Sequence, residues 1–412
     1  MSKQTFVIVG ASLAGAKAAE ELRDRGFDGR VVLIGTEPER PYERPPLTKE
    51  YLRGESEREK AYVHPADFYA EHDIELETST TVTAIDPQAS RVTLGDGQEL
   101  AYDRLLLTTG AEPRRIEVPG AALEGIHYLR TLADCDVLRA QLVDGARVAV
   151  IGAGWIGSEF AASARQRGLN VTVIDPLQLP YERILGPEIG AFYRDVHVQH
   201  GVEMLLDHGV DAFEGDGTVS RVLTSVGDVV ECDFVVVGVG IAPRTGLAAD
   251  AGLEVDNGVI TNQHLQTSAP GIFAAGDVVN AWHPFYEERV RVEHWANALN
   301  QGPAAARSML GEDESYDRIP YFYSDQYDVG MEYSGYAKNW DEVVFRGDRE
   351  GGEFIAFWLR DGLVVGGMNV NVWDVNQHVQ ELIRSRARVS ATALADPDTS
   401  LESMVAAPST DN

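Results

Sequence analysis

The chain has 412 residues, 44% of them hydrophobic and 24% charged, which gives it enough apolar content for two or three packed cores and too much for a disordered chain. Its 35 Lys and Arg against 65 Asp and Glu leave a formal net charge of −30, a field that opposes nucleic acid as a partner. Cys135 and Cys232, 97 residues apart, are the only cysteines, which excludes a disulfide framework, a thiolate zinc site and an iron–sulfur cluster carried by this chain.

In chain order, Thr5 to Val9 is a β-branched and aromatic run, Gly10 to Gly15 reads as a turn, and Ala16 to Arg25 predicts a helix ended by Gly26. The next strand, Val31 to Ile34, has Glu37 just past its end, 27 residues after Gly10. Val82 to Leu107 predicts hairpin strands, with turn signals at Asp86-Pro87 and Asp96-Gly97, closing on Thr108-Thr109-Gly110. The opening grammar then recurs 142 residues on: strand Arg147 to Ile151, turn Gly152 to Gly157, helix Ser158 to Arg167, strand Val171 to Ile174 and then Asp175. Phe234 to Gly240 is another apolar run into glycine. After Pro320, alternating aromatic strands at Glu353 to Leu359 and Leu363 to Val365 precede a helix near Asn376 to Arg386, and predict a third domain. From Ala395 the composition loses periodicity and predicts a flexible tail, 395–412. No apolar run approaches the roughly 18 residues of a membrane span, and a strand beginning near Thr5 leaves no room for a signal peptide, so a soluble, cytoplasmic protein is expected.

Gly152, Gly154 and Gly157, with Trp155 and Ile156 between them, complete a G-x-G-x-x-G fingerprint. One glycine serves the tight turn, one the close approach of a pyrophosphate and one the packing of helix on strand. Asp175, 23 residues after Gly152, stands where it can accept from a ribose 2′-hydroxyl and repel a 2′-phosphate, which predicts NADH over NADPH; Arg183 eight residues later opposes that preference. The first copy, Gly10, Ala11, Ser12, Leu13, Ala14, Gly15, has serine in the middle glycine's place. Two dinucleotide sites in one chain predict a flavin facing a nicotinamide. Gly276-Asp277, at the end of the apolar run from Gly271, offers an aspartate to ribityl hydroxyls. His197, His200 and His208 are read as satisfied or surface histidines and no metal site is expected.

Together with Arg40 to Lys49, Thr109-Gly110, Pro113-Arg114, Glu293 to Asn297 and Ser324-Asp325-Gln326, these motifs resemble the FAD-dependent NADH:ferredoxin reductases of oxygenase systems, glutathione-reductase-like flavoproteins. The resemblance implies an α/β fold with two Rossmann-like dinucleotide-binding domains and a C-terminal α+β domain: a discontinuous FAD domain at 1–113 and 238–318, an NAD domain at 114–237 and a C-terminal domain at 319–394. It implies FAD and NAD as cofactors, NADH as donor, and as acceptor a ferredoxin that supplies a haem-thiolate monooxygenase or a Rieske dioxygenase. Carried over residue by residue, Glu37 binds the adenosine ribose of FAD, Arg44 and Arg114 line its site, and Lys49 lies near the reactive flavin nitrogen and pairs with Glu159. Trp295 borders the flavin edge. Val82, Thr109, Gly110, Gly240, Glu293 and His294 complete the implied cofactor contacts, and Tyr323 stands where the family generally carries tryptophan.

A redox cysteine soon after the second strand would mark a disulfide reductase or NADH peroxidase; Pro41 to Pro46 holds none. A rubredoxin reductase, or an FAD-binding signalling protein resembling apoptosis-inducing factor, remains as the alternative. Residues 319–412 hold 7 Lys and Arg against 15 Asp and Glu, a net −8, so attraction for an acidic ferredoxin must be local. Arg384, Arg386 and Arg388 are the candidates, Arg384 and Arg388 on one helix face, with Trp295 and Trp373 as apolar contacts.

Overall fold

The computed structural model describes residues 3–405, which divide into two compact units. The first unit comprises residues up to Arg114, the three residues Arg130–Leu132, and Gly240–Arg318; the second comprises Arg115–Leu129, Ala133–Val239 and the chain from Ile319 on.

The first unit is built on a five-stranded parallel sheet in the order Ile272–Ala274, Arg104–Leu107, Thr5–Val9, Arg30–Ile34, Ile74–Glu77. Its central strands are apolar on both faces, as a parallel sheet covered on both sides requires. That property explains a departure from the sequence reading. Val82–Asp86, Arg91–Leu94 and Glu99–Ala101 form a separate antiparallel sheet as expected, but the unbroken run at Arg104–Leu107 leaves the hairpin series and joins the parallel sheet beside Thr5–Val9. The helix Leu13–Asp24 lies against the helix Trp295–Leu310. Gly302 makes that approach possible, since a Cβ there would stand 2.2 Å from the Ala14 carbonyl oxygen.

The second unit repeats the plan: Glu203–Leu206, Asn170–Asp175, Arg147–Ile151, Phe234–Val237 and Ile126–Tyr128 form a parallel sheet with the fingerprint strand again in the middle. The C-terminal part is a five-stranded antiparallel sheet ordered Tyr321–Gln326, Val329–Gly335, Leu363–Val370, Glu353–Arg360, Glu342–Asp348. It shares a core with the dinucleotide fold of this unit: Tyr181, Leu185, Ile189, Tyr193 and Val196 pack with Met331, Tyr333, Phe354 and Trp358. The Trp358 indole N–H, fully buried, donates to the Leu185 carbonyl at 3.1 Å.

Residues 395–405 are not a tail. Short helices span Ala391–Ala395 and Leu401–Val405, and Arg346 donates to the carbonyls of Leu394, Asp396, Pro397 and Thr399, satisfying backbone that composition alone leaves open. Residues 406–412 lie outside the described residues. The last long helix ends at Ser385, and Arg386 turns left-handed, so Arg388 does not share a helix face with Arg384; instead Arg388 donates to the Asp361 carbonyl at 2.6 Å. Among the described residues no helix is long and apolar enough to cross a membrane, and no group of His, Cys, Asp and Glu is placed to hold a metal.

Candidate active site

In the first unit the strand Thr5–Val9 delivers Gly10 at φ 120°, where a Cβ would collide with the Thr108 carbonyl oxygen at 2.1 Å; Gly15 faces the Gly10 oxygen in the same way, at 2.2 Å. Ser12, the residue in place of the middle glycine, caps the helix at φ −127°, an extended conformation any residue adopts, so serine introduces no strain. Its side chain makes no capping hydrogen bond, and the first turn, which includes Leu13, Ala14 and Gly15, carries no acidic residue. The N–H groups of that turn are therefore left for an anionic ligand, which fits the diphosphate of a dinucleotide.

Around this turn the unit gathers most of the other expected residues. Gly276, at φ 81°, comes close to Ala14, and its N–H donates to the buried side-chain amide oxygen Oε1 of Gln301 at 2.8 Å. Asp277 pairs with Arg130 at 2.8 Å, both largely buried. Burial pulls the Arg130 guanidinium below its ordinary value. Arg44 donates to the Arg130 carbonyl and lies 3.5 Å from Glu37, whose carboxylate accepts the Tyr42 hydroxyl at 2.5 Å. Burial pushes the Tyr42 phenol up, so it stays a donor. Thr109 donates to the Arg244 carbonyl, and Gly110, at φ 67°, borders Arg130. Lys49 is buried at the end of the turn Pro45–Thr48.

Glu293 pairs with Arg291, and His294 caps the helix that begins at Trp295. Burial holds the His294 ring neutral, lowered to about 4. Burial raises the Glu43 carboxyl, while the Trp295 indole and Lys17 hold it partly down. Val82 is buried in the core, and Arg114 gives its backbone N–H to the Gly240 carbonyl and its guanidinium to the Ile241 carbonyl, knitting Ala111–Pro113 to Ile241–Pro243.

The second unit holds the complete fingerprint. A Cβ on Gly152 would meet the Gly238 oxygen at 2.5 Å and one on Gly157 the Gly152 oxygen at 1.9 Å, whereas one on Gly154 finds nothing nearer than 4.0 Å. The turn is thus closed where protein meets protein and open at the middle glycine, which caps Trp155–Gln166 without a side-chain bond or an acidic first turn. Asp175 is buried, its two oxygens accepting the N–H of Ala153 at 2.7 Å and of Leu177 at 2.8 Å. It therefore shapes the fingerprint turn, a role the sequence reading did not assign. Trp155 stacks on Tyr181 at 4.1 Å, while Ile156, Arg183 and Ile184 are exposed nearby in sequence. Tyr323 is half-buried on its strand opposite Glu332.

Glu159 belongs to this unit and Lys49 to the first. Glu159 accepts the Ser324 hydroxyl at 2.7 Å, and behind it lies a buried polar series that motif reading does not find: Gln326, Tyr181, His197 and Tyr327. Arg130, likewise unanticipated, has no motif around it; its signal is an arginine between Leu129 and Thr131 in the short segment Tyr128-Leu129-Arg130-Thr131-Leu132. His197 is fully buried and bonded, and His208 donates from Nδ1 to the Leu206 carbonyl and from Nε2 to the Asp228 carboxylate, in line with satisfied histidines. Cys135 and Cys232 are buried and form no disulfide, and burial pushes the Cys232 thiol up to about 12, far from a redox-active thiolate.

Residues 4–302 match the family model described as pyridine nucleotide-disulphide oxidoreductase, and residues 321–405 match one described as reductase C-terminal. The chain is 41% identical over 409 residues to the anthranilate 1,2-dioxygenase system ferredoxin–NAD(+) reductase component of Burkholderia cepacia, covering 98% of this chain and 100% of that one. It is 37% identical over 403 residues to rhodocoxin reductase of Rhodococcus erythropolis, covering 98% and 94%. The crystal structure of the covalent putidaredoxin reductase–putidaredoxin complex superposes with a TM-score of 0.96 at 35% identity, covering 100% of both chains. With both of its dinucleotide turns built as that fold requires, the chain belongs to the pyridine nucleotide-disulphide oxidoreductase family, on the branch of the ferredoxin reductases of oxygenase systems.

Proposed function

We propose that the chain is a cytoplasmic NADH:ferredoxin reductase, carrying FAD in its first unit and taking NADH in its second, and that it feeds an oxygenase. The observation that carries this reading is the pair of glycine-closed, side-chain-uncapped helix N-termini, one in each unit, each following the central strand of a parallel sheet. FAD, when bound, supplies the conversion of a two-electron hydride donor into single electrons for an iron–sulfur acceptor.

The chain's own residues bind and orient. In the FAD domain, 1–113 and 238–318, the first turn of Leu13–Asp24 faces the diphosphate, the Glu37, Tyr42 and Arg44 cluster takes the adenosine end, and Asp277, held by Arg130, takes ribityl hydroxyls. The N-terminus of Trp295–Leu310 favours negative charge on reduced flavin, and a neutral His294 there adds no positive charge of its own. Lys49 serves the flavin from this domain. In the NAD domain, 114–237, Gly154 admits the nicotinamide dinucleotide, Asp175 favours NADH, and Glu159 acts where hydride transfer takes place. The antiparallel domain from 319 carries Tyr323 as an aromatic neighbour of the site.

The test is anaerobic reduction. The purified chain should hold one non-covalent FAD, bleach with NADH much faster than with NADPH, and then reduce an added [2Fe–2S] ferredoxin. A chain that neither retains nor takes up FAD, or one whose NADH-reduced form passes electrons to no ferredoxin, would overturn the reading.

A further inference from the structure

Behind Glu159 in the second unit, five side chains, four of them buried and Tyr327 half-buried, form one connected series whose hydrogen atoms are fixed once Glu159 accepts as a carboxylate. The Ser324 hydroxyl has a single hydrogen, and the Glu159 carboxylate, 2.7 Å away, takes it. Ser324 Oγ must then accept from Gln326, at 3.2 Å, so the Gln326 amide presents Nε2 to Ser324 and to the Tyr181 hydroxyl, at 2.9 Å. Turning that amide over would ask Ser324 for a second hydrogen it does not have. With Nε2 so placed, Gln326 Oε1 accepts from His197 Nε2–H at 2.9 Å. The ring is neutral, burial lowering it to about 4, so His197 Nδ1 accepts the Tyr327 hydroxyl at 3.1 Å. Along the path from Tyr327 through His197, Gln326 and Ser324 each donor points towards Glu159, and the second Gln326 N–H points to Tyr181. Ser324, Gln326 and His197 are each at most 1% exposed, so water does not compete with these bonds.

The series also has a branch. Tyr181 stands at φ 56°, a left-handed conformation unusual for a tyrosine, and its ring stacks on Trp155, the first residue of the second fingerprint helix. Gln326 thus reaches that helix twice, through Ser324 to Glu159 and through Tyr181 to Trp155. The strand that carries Ser324 and Gln326 lies outside the dinucleotide fold, in the C-terminal antiparallel sheet.

We propose that Ser324 and Gln326, with His197 fixing the amide, are positioning residues for hydride transfer: they orient Glu159 and Trp155 on the fingerprint helix. The proposal rests on the role given to Glu159 above. It explains why the C-terminal sheet shares its core with the nicotinamide fold, since the sheet edge supplies the groups that aim a residue of that fold.

The experiment is a double-mutant cycle on the FAD-loaded enzyme, read by stopped-flow reduction of the flavin under saturating NADH. Ser324→Ala should lower the limiting rate about tenfold in the native background and less than about twofold in Glu159→Gln, a coupling within the range found for residues in one hydrogen-bond network. Ser324→Thr, which keeps the hydroxyl, should restore most of the rate. Gln326→Leu should lower the rate and also raise the NADH dissociation constant several-fold, because it releases the Tyr181 branch as well. If Ser324→Ala does not fold, Ser324→Cys, a similar volume with a weak donor, gives the same comparison. A native rate in Ser324→Ala, or an equal fall in both backgrounds, would overturn the proposal while leaving Glu159 its role. A Glu159→Gln enzyme reduced at the native rate would overturn that role and the positioning together.

Discussion

Gly154 and Gly157 have opposite surroundings, and the contrast separates what the fold needs from what the ligand needs. A methyl at Gly157 would lie 1.9 Å from the Gly152 oxygen, so the turn must open by at least 1.1 Å to bring that contact to 3.0 Å. A displacement of about 1 Å in a positioning element can slow hydride transfer by roughly 100-fold, and the strain should also lower the melting temperature. At Gly154 the backbone is at φ −82° and a methyl meets nothing within 4.0 Å. Losing glycine as a helix cap costs a few tenths of a kcal/mol to about 1, and the stiffer unfolded chain offsets about 0.4–1 kcal/mol of it, so Gly154→Ala should melt like the native protein. The methyl nevertheless occupies the space through which a pyrophosphate reaches the helix N–H groups, and one misplaced methyl in a fitted site costs about 1–3 kcal/mol, or roughly 10–200-fold. Stopped-flow reduction across NADH concentrations, with dithionite reduction as control, gives both values. Native NADH affinity in Gly154→Ala would show that no phosphate approaches this turn, and loss of FAD from Gly157→Ala would show that the two dinucleotide sites are not divided between the units as argued.

Asp175→Ala orphans the buried Ala153 N–H and the partly buried Leu177 N–H, at about 1–3 kcal/mol for the buried one and less for the other, so thermal unfolding should detect a loss of about 2 kcal/mol before any change in cofactor preference is read; Asp175→Asn, which keeps one acceptor, should show about half that loss while NADH over NADPH selectivity relaxes. His197 has its folded value depressed from 6.5 to about 4, so the unfolded chain binds the proton first: its contribution is complete above pH 6.5 and is lost as pH falls towards 4, by up to about 3 kcal/mol. Urea denaturation at pH 7, 6, 5 and 4 should show that decline in the native protein and a shallower one in His197→Gln. Arg346→Ala frees four carbonyls between Leu394 and Thr399, and limited proteolysis should then cut near residues 395–405 while NADH-driven flavin reduction continues; resistance equal to the native chain would assign the order of this segment to other contacts.

What was legible in the sequence is what local pattern determines. Thr5–Val9 and Arg147–Ile151 come out at their observed limits because a short β-branched run ending in glycine has few alternatives, and the two fingerprints stand out because each glycine answers a contact within a few residues or on the adjoining strand. Ser12 looked like a defect in the pattern and is none, since its backbone is extended and only Gly10 and Gly15 carry the steric demand. The misses share a cause. Leu105–Leu107 reads as the last rung of a hairpin series until the sheet that buries both its faces is known. Arg130 acquires its purpose from Asp277, 147 residues away, and Ser324 from Glu159, 165 residues away. No period or spacing encodes such a pairing.

The same distinction bears on how the two carboxylates of the second unit divide their work. Asp175 was legible as a ligand contact from its place after the second strand, yet both of its oxygens hold the fingerprint turn, so its effect on cofactor choice is tied to the shape of the turn. Glu159 was legible only through family likeness, yet it is the carboxylate on which a one-directional series of donors converges. A residue that only filled space on the helix would not require an oriented amide, a neutral histidine and a strand from another sheet behind it. The arrangement therefore places the stronger functional constraint on Glu159 and the stronger structural one on Asp175, and unfolding and flavin-reduction measurements on the same pair of variants should separate them in that order.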